Sequence, residues 1–429
     1  IIHSHSRVSP STSPTFRTTL HTFGGMDSLR GNLSAVNEIP FAAMESSFHT
    51  NVWGTGFTPE GIDQNPALYE MVIEQNWRHE RVPNVTKHLI ERAHRRYGLA
   101  SSTDGSTDDA NVTKAWGLIA KSAYTFDLWG MDSGGVTHLP AAGDSYAWEN
   151  ADTAKTHGPC VKQSCNANFS KPIVATRFMC MIWSAFSALV DAAPRVMARA
   201  GEPYIYDLIN TGREVMNQLM IPVSIAFNES IDPRHFGVKM DPNSVKRTGD
   251  AYVALLNDMD ELLNTDTAFQ VGGWIKQARD LAAKQGGTDC IAKGFEKEIL
   301  TCAHMYEWNA RVQITSWDPT PKGSAKPGKD TVDYASKHWS GLVKDYYGAR
   351  VTAVQMAALE AAAAGTPLTL KVVDRAKAKL SYEWTTSQRK YPSEAVGDPL
   401  AVSKNMRAKY KSHFATCPSG DELLHAASW

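Results

Sequence analysis

From residue 66 onward, apolar residues recur with a helical period. In ALYEMVIEQNW (67–77), Leu68, Met71, Val72 and Ile73 lie on or near one stripe. In VTKHLIERAHRRYG (85–98), Val85, Leu89, Ala93 and Tyr97 do the same, ahead of a glycine suited to ending a helix. The period returns over 113–126, 177–199, 204–221, 247–264, 267–284, 293–315, 331–347, 351–363, 369–390 and 398–412, and predicts a helical array. Gly, Pro and polar clusters such as PTPKGSAKPGKD (319–330) punctuate it. No fixed-period repeat is present, which disfavours a solenoid.

The first part of the chain reads differently. RTTLHTFGG (17–25) and TNVWGTGF (50–57) are short β-favouring runs ended by or containing glycines, and the helix-compatible MDSLRGNLSAVNEI (26–39) separates them. Strand, helix, strand is one step of a βα repeat, and two strands do not make a core. Their sheet partners are expected upstream of Ile1 or on another chain.

Composition narrows the field. An apolar fraction of 42% over 429 residues supports a sizeable core. With 44 basic and 45 acidic residues, the formal charge of −1 offers no net field for nucleic acid or an anionic membrane. FMCMIWSAFSALV (178–190) is shorter than the roughly 20 residues of a spanning helix and reads as a buried helix, so no transmembrane segment is expected. The start, IIHSHSRVSPSTSPTF, lacks a signal peptide's basic and apolar regions and reads as an internal start. Asn-x-Ser/Thr triplets occur at Asn32, Asn84, Asn111, Asn168 and Asn228. Six cysteines include Cys160 with Cys165 and Cys290 with Cys302, spacings that permit local disulfides without requiring them. Together these favour a secretory-pathway, lysosomal, vacuolar or extracellular address.

Candidate chemistry centres on WGTGFTPEGIDQNPALYE (53–70). A dinucleotide fingerprint needs a third glycine where Pro59 stands, and the Gly-Lys-Ser/Thr of a phosphate loop is absent. The fourteen histidines are scattered and Cys160 and Cys165 have no second pair, so neither a metal nor a cofactor is expected. If NVWGTG is a barrel strand, Glu60 lies just past its C-terminal end, where barrel enzymes place catalytic side chains. A solvated carboxylate near a helix start is the plain alternative.

GTGFTPEGIDQNPALYEMVIEQNWR (54–78) resembles the segment around the catalytic nucleophile of family 89 glycoside hydrolases, the lysosomal-type α-N-acetylglucosaminidases. LHTFGG with AVN (20–25, 35–37) resembles the strand and helix before it. YDLINTGREVMNQL (206–219), FQVGGWIKQAR (269–279), YEWNARVQITSW (306–317), DYASKHWSGLVKDYY (333–347) and YPSEAVGDPLAVS (391–403) come after it in the family's order. The resemblance covers most of residues 17–410.

It implies a mainly α fold: a large C-terminal helical domain (81–429), preceded by the last βα elements of an incomplete (β/α)8-type barrel (17–80) and a polar segment (1–16). The implied chemistry is retaining hydrolysis of terminal α-linked N-acetylglucosamine with Glu60 as nucleophile. The acid/base has no counterpart in this chain, and is expected on an upstream barrel portion, separate or processed, making the chain an oligomer or assembly subunit. His21, at a strand end beside Gly24 and Gly25, is a candidate for a sugar hydroxyl or a structural histidine. Trp274 and Trp317 are candidates for an apolar wall under a pyranose or for core packing. Glu307 and Arg311, four apart, read as a structural ion pair. Arg17 and Thr18 replace the family's usual tryptophan region and Thr22 its usual asparagine, so a catalytically inactive structural or carbohydrate-binding subunit is the second reading.

Overall fold

A computed structural model describes residues 15–21, 29–45, 52–59, 65–99, 107–125, 177–231, 240–284, 292–293, 299–315, 317, 335 and 337–425. The chain is mainly helical, as its periodicity predicts. It divides into two compact units: residues 1–132, 175–215 and 414–429 form the first, and residues 133–174 and 216–413 the second.

In the first unit, β1 (Thr15–His21) and β2 (Val52–Pro59) pair in parallel, with α1 (Leu33–Glu45) in the crossover. After an irregularity at Thr15/Phe16 the register runs without a break from Phe16↔Gly54 to His21↔Pro59. Of the expected helix at 26–39, residues 26–28 lie outside the described residues, and the described part turns helical at Leu33. Side chains take the backbone donors ahead of it: Leu29 N–H donates to Glu214 and Arg30 N–H to Asn65, and Asn32 Oδ1 then caps α1 by accepting from Ala35 N–H at 2.8 Å.

Next come α2 (Pro66–Glu74), a 3₁₀ turn (Gln75–Trp77) and α3 (Val85–Arg96). The predicted stripe of α2 is buried at Leu68, Met71 and Val72, whereas Ile73 is exposed. That of α3 is buried at Leu89, Ala93 and Tyr97, and Gly98 comes next at φ 62°. The unit is completed by α4 (Thr107–Lys121), α5 (Arg177–Ala200), the first half of α6 (Glu202–Ile231) and α13 (Gly420–His425). Asp207 of α6 accepts from Tyr97 Oη and Arg96 Nε, each at 2.8 Å. Burial pushes its carboxyl pKa up, against the pull of Arg96 and Arg92.

A disulfide joins Cys180 of α5 to Cys417, 237 residues away, and Trp183 stacks on Phe414 beside it with ring centroids 4.2 Å apart. This long-range bond was not among the local pairs that the spacings permitted. Cys302 is disulfide-bonded too, while Cys160, Cys165 and Cys290 lie outside the described residues. No helix among the described residues is long and apolar enough to cross a membrane.

The second unit holds the rest of α6, α7 (Pro242–Leu263), α8 (Val271–Lys284), the pair β3 (Ala292–Lys293) and β4 (Ile299–Leu300), α9 (Cys302–Gln313), a π-helical stretch (Val343–Gly348), α10 (Ala349–Ala363), α11 (Leu370–Thr386) and α12 (Pro399–Tyr410). Two predicted helices differ. The one at 293–315 starts at Cys302, because 292–293 and 299–300 pair antiparallel and Thr301 caps α9 directly after them. In the one at 331–347, residues 331–334 and 336 lie outside the described residues, and the described ones turn helical only at Leu342. Ser340 is bridged to Gln270, Gly341 has φ 86°, and Asp260 accepts from the N–H groups of Gly341 (2.7 Å) and Lys344 (3.1 Å).

Glu307 and Arg311 form the expected pair, fully inside the unit. Arg311 donates to Glu307 Oε1 from Nε (3.0 Å) and Nη2 (2.8 Å) and to the carbonyls of Trp384 and Arg389, with its guanidinium 4.7 Å from the Trp384 ring centroid. Arg279 bonds the other Glu307 oxygen. A buried charge needs this degree of satisfaction.

Candidate active site

Parallel pairing brings the C-terminal ends of β1 and β2 to one edge, where His21 stands opposite Pro59. Glu60 is next after Pro59 in sequence and lies outside the described residues, as do 22–28 and 61–64. The structure describes the supports on either side of that position.

His21 is buried. Its Nε2 lies 3.0 Å from the Arg30 carbonyl oxygen and its Nδ1 3.3 Å from Tyr69 Oη. Burial, then the charge of Arg30, lowers its pKa from 6.5 to about 3, so the ring is neutral across the mildly acidic range. A carbonyl only accepts, so the single ring proton is on Nε2 and Nδ1 accepts from the Tyr69 hydroxyl. Tyr69 is also in edge contact with His21 (centroids 5.5 Å apart) and lies 4.8 Å from Phe57 of β2.

The chain after β1 is pinned by two fully buried side chains. Asn65 Oδ1 accepts from Arg30 N–H at 2.8 Å, and Glu214 Oε2 from Leu29 N–H at 2.9 Å. Asn65 sits at the N-cap of α2 without capping it, since its oxygen is already used by Arg30. Pro66, which has no N–H to satisfy, opens that helix instead. Sequence reasoning did not single out Arg30, Asn65, Tyr69 or Glu214. Asn65 and Glu214 do stand inside the GIDQN and YDLINTGREVMNQL stretches, and polar residues at buried positions were the available signal.

The tryptophan candidates belong to the second unit. Trp274, on α8, is half-buried; its Nε1 donates to the Ala310 carbonyl at 2.8 Å and its ring lies 6.1 Å from Trp339. Trp317, past the end of α9, is 52% exposed. Among the described residues no group of three or more His, Cys, Asp or Glu side chains is placed to hold a metal. A cavity of about 40 Å³ lined by Glu70, Glu74, His88 and Arg92 has room for water but not for a sugar.

Residues 90–409 match the family model for the alpha-N-acetylglucosaminidase (NAGLU) C-terminal domain, and residues 11–79 that for the alpha-N-acetylglucosaminidase tim-barrel domain. Human alpha-N-acetylglucosaminidase is 28% identical over 402 residues, which cover 91% of this chain and 44% of the human protein. The family 89 glycoside hydrolase from Clostridium perfringens, solved with PUGNAc, superposes with a TM-score of 0.66 at 21% identity, over 92% of this chain and 39% of that one. The same holds for its variant with two glutamates changed to glutamine, in complex with its substrate GlcNAc-alpha-1,4-galactose. The chain therefore spans less than half the length of these relatives. With one family model covering residues 90–409 and a second from the same family covering the strands before it, this chain belongs to the alpha-N-acetylglucosaminidase family of glycoside hydrolases.

Proposed function

We propose that this chain supplies the C-terminal part of a retaining α-N-acetylglucosaminidase, with Glu60 as the nucleophile. The observation that carries the reading is the parallel register that ends β1 and β2 together at His21 and Pro59, with Glu60 next in sequence. In a barrel this edge is the catalytic face. Glu60 attacks the anomeric carbon of a terminal α-linked N-acetylglucosamine and forms a covalent glycosyl-enzyme. A second carboxyl group, about 5 Å away, protonates the leaving oxygen and then activates the water that releases the sugar. That acid/base comes from a barrel portion outside these 429 residues.

The substrate class is taken from the relatives: the human protein is named for α-N-acetylglucosaminidase activity, and the Clostridium perfringens variant holds GlcNAc-alpha-1,4-galactose. Of the sugar-binding candidates, Trp317 offers an exposed aromatic face. His21 already spends its ring N–H on the Arg30 carbonyl, and we assign it the positioning of the site's wall; the ring N–H of Trp274 is likewise spent, on the Ala310 carbonyl within the second unit. We set the domain boundary between residues 80 and 81. The Cys180–Cys417 bond supports an oxidising, secretory-pathway or lysosomal address.

The test combines the chain with its upstream barrel portion and monitors leaving-group release from an aryl α-N-acetylglucosaminide. Glu60→Gln is expected to lower turnover by about a thousandfold or more while sugar binding persists. Unchanged turnover would reject Glu60 as nucleophile. A wild-type assembly that binds the sugar and never releases the aryl group would instead establish the inactive carbohydrate-binding subunit.

A further inference from the structure

Of the five Asn-x-Ser/Thr triplets, four have their asparagine among the described residues, and these four stand in different surroundings. Asn228 lies within α6 and is 2% exposed, so a branched sugar there is incompatible with the packed helix. Asn32 is half-buried, bridged to Thr125 and occupied in capping α1. Asn111 is half-buried within α4, and Oγ1 of Thr113, the third residue of its triplet, lies 3.0 Å from His94 Nε2. Asn84 is exposed, in extended backbone (φ −141°, ψ 101°) just ahead of α3.

Asn84 is the N-cap of α3: its Oδ1 accepts from Lys87 N–H at 2.9 Å. Its Nδ2 makes no hydrogen bond among the described residues, and neither Val85 nor Lys87, the residues flanking Thr86, is proline. We infer that Asn84 is an N-glycosylation site whose glycan coexists with the helix cap. The donor is an oligosaccharide carried on a polyprenyl pyrophosphate. Asn84 Nδ2 attacks the sugar's anomeric carbon and gives up one proton; the carbon–oxygen bond to the pyrophosphate breaks, and the pyrophosphate leaves with the electron pair. The new bond is to nitrogen, so Oδ1 remains a carbonyl acceptor and the first turn of α3 keeps its cap. The inference goes beyond the hydrolase reading, requiring only passage through a compartment where such transfer occurs.

The test directs the full chain into the secretory pathway of a eukaryotic host behind a cleaved leader. Peptides of the translocated chain are treated with a peptide N-glycosidase in ¹⁸O-water, which turns each glycosylated asparagine into labelled aspartate. Label at Asn84 is expected. Asn84→Asp keeps a capping oxygen, and Thr86→Ala keeps the cap itself; each should lose one glycan's worth of gel retardation, and Thr86→Ser should retain it. Unlabelled Asn84, or wild-type mobility in both Asn84→Asp and Thr86→Ala, would overturn the assignment.

Discussion

His21 carries its proton on Nε2 because the Arg30 carbonyl can only accept, and its burial makes a second proton costly. The consequence for stability has a definite sign. The folded pKa, about 3, lies below the ordinary 6.5, so between these values the unfolded chain binds a proton that the folded chain refuses. This group's contribution is fully present above pH 6.5 and is lost as pH falls toward 3. His21→Gln removes it, so the difference in melting temperature between wild type and variant should shrink as pH is lowered through that window. A constant difference would show that the ring is not held neutral. The expectation for Glu60 rests on the motif around it, and Glu60 itself lies outside the described residues. The state of His21 was not legible, because its partners Arg30 and Tyr69 lie 9 and 48 residues away in sequence. Asn65 and Glu214 escaped for the same reason: a buried amide or carboxylate is defined by the distant N–H it satisfies.

Helix α8 opens on two adjacent glycines with opposite surroundings. A Cβ on Gly272 would lie 1.9 Å from the Pro392 carbonyl oxygen, whereas one on Gly273 would meet nothing within 4 Å. Gly272→Ala must push one stretch of backbone off another and should cost about 3 kcal/mol or more. Gly273→Ala should be neutral or stabilise by about 0.5 kcal/mol through helix propensity. Urea midpoints of the two variants should therefore move in opposite directions, or only the first should move; equal shifts would contradict the close approach. Most elements were legible at this scale because apolar stripes are local signals. The two departures differ in cause: at 292–293 and 299–300 a short local antiparallel pair precedes the helix, whereas at 340–341 backbone groups bond to distant partners, Ser340 to Phe269 and Val271, and Gly341 to Asp260. Local periodicity carries no trace of such bonds.

At the scale of the molecule, the fold class was readable from the helical period and the family from the order of its motifs. The assignment of residues to compact units was not, since the first unit draws on 1–132, 175–215 and 414–429. The Cys180–Cys417 bond closes part of that arrangement. Removing it by Cys180→Ala with Cys417→Ala should lower stability by about 2–5 kcal/mol, read as the loss in denaturant midpoint relative to the oxidised chain. No loss would mean that Trp183 on Phe414 and the surrounding core hold the junction unaided. The same bond constrains the order of events at the ribosome. Cys180 must wait for a partner 237 residues behind it, roughly ten to fifty seconds of synthesis, during which its thiol is open to capture by the wrong cysteine. The first unit is thus begun early and sealed late, after residues 216–413 have emerged, and a chain stalled anywhere in that stretch leaves its first unit unlocked.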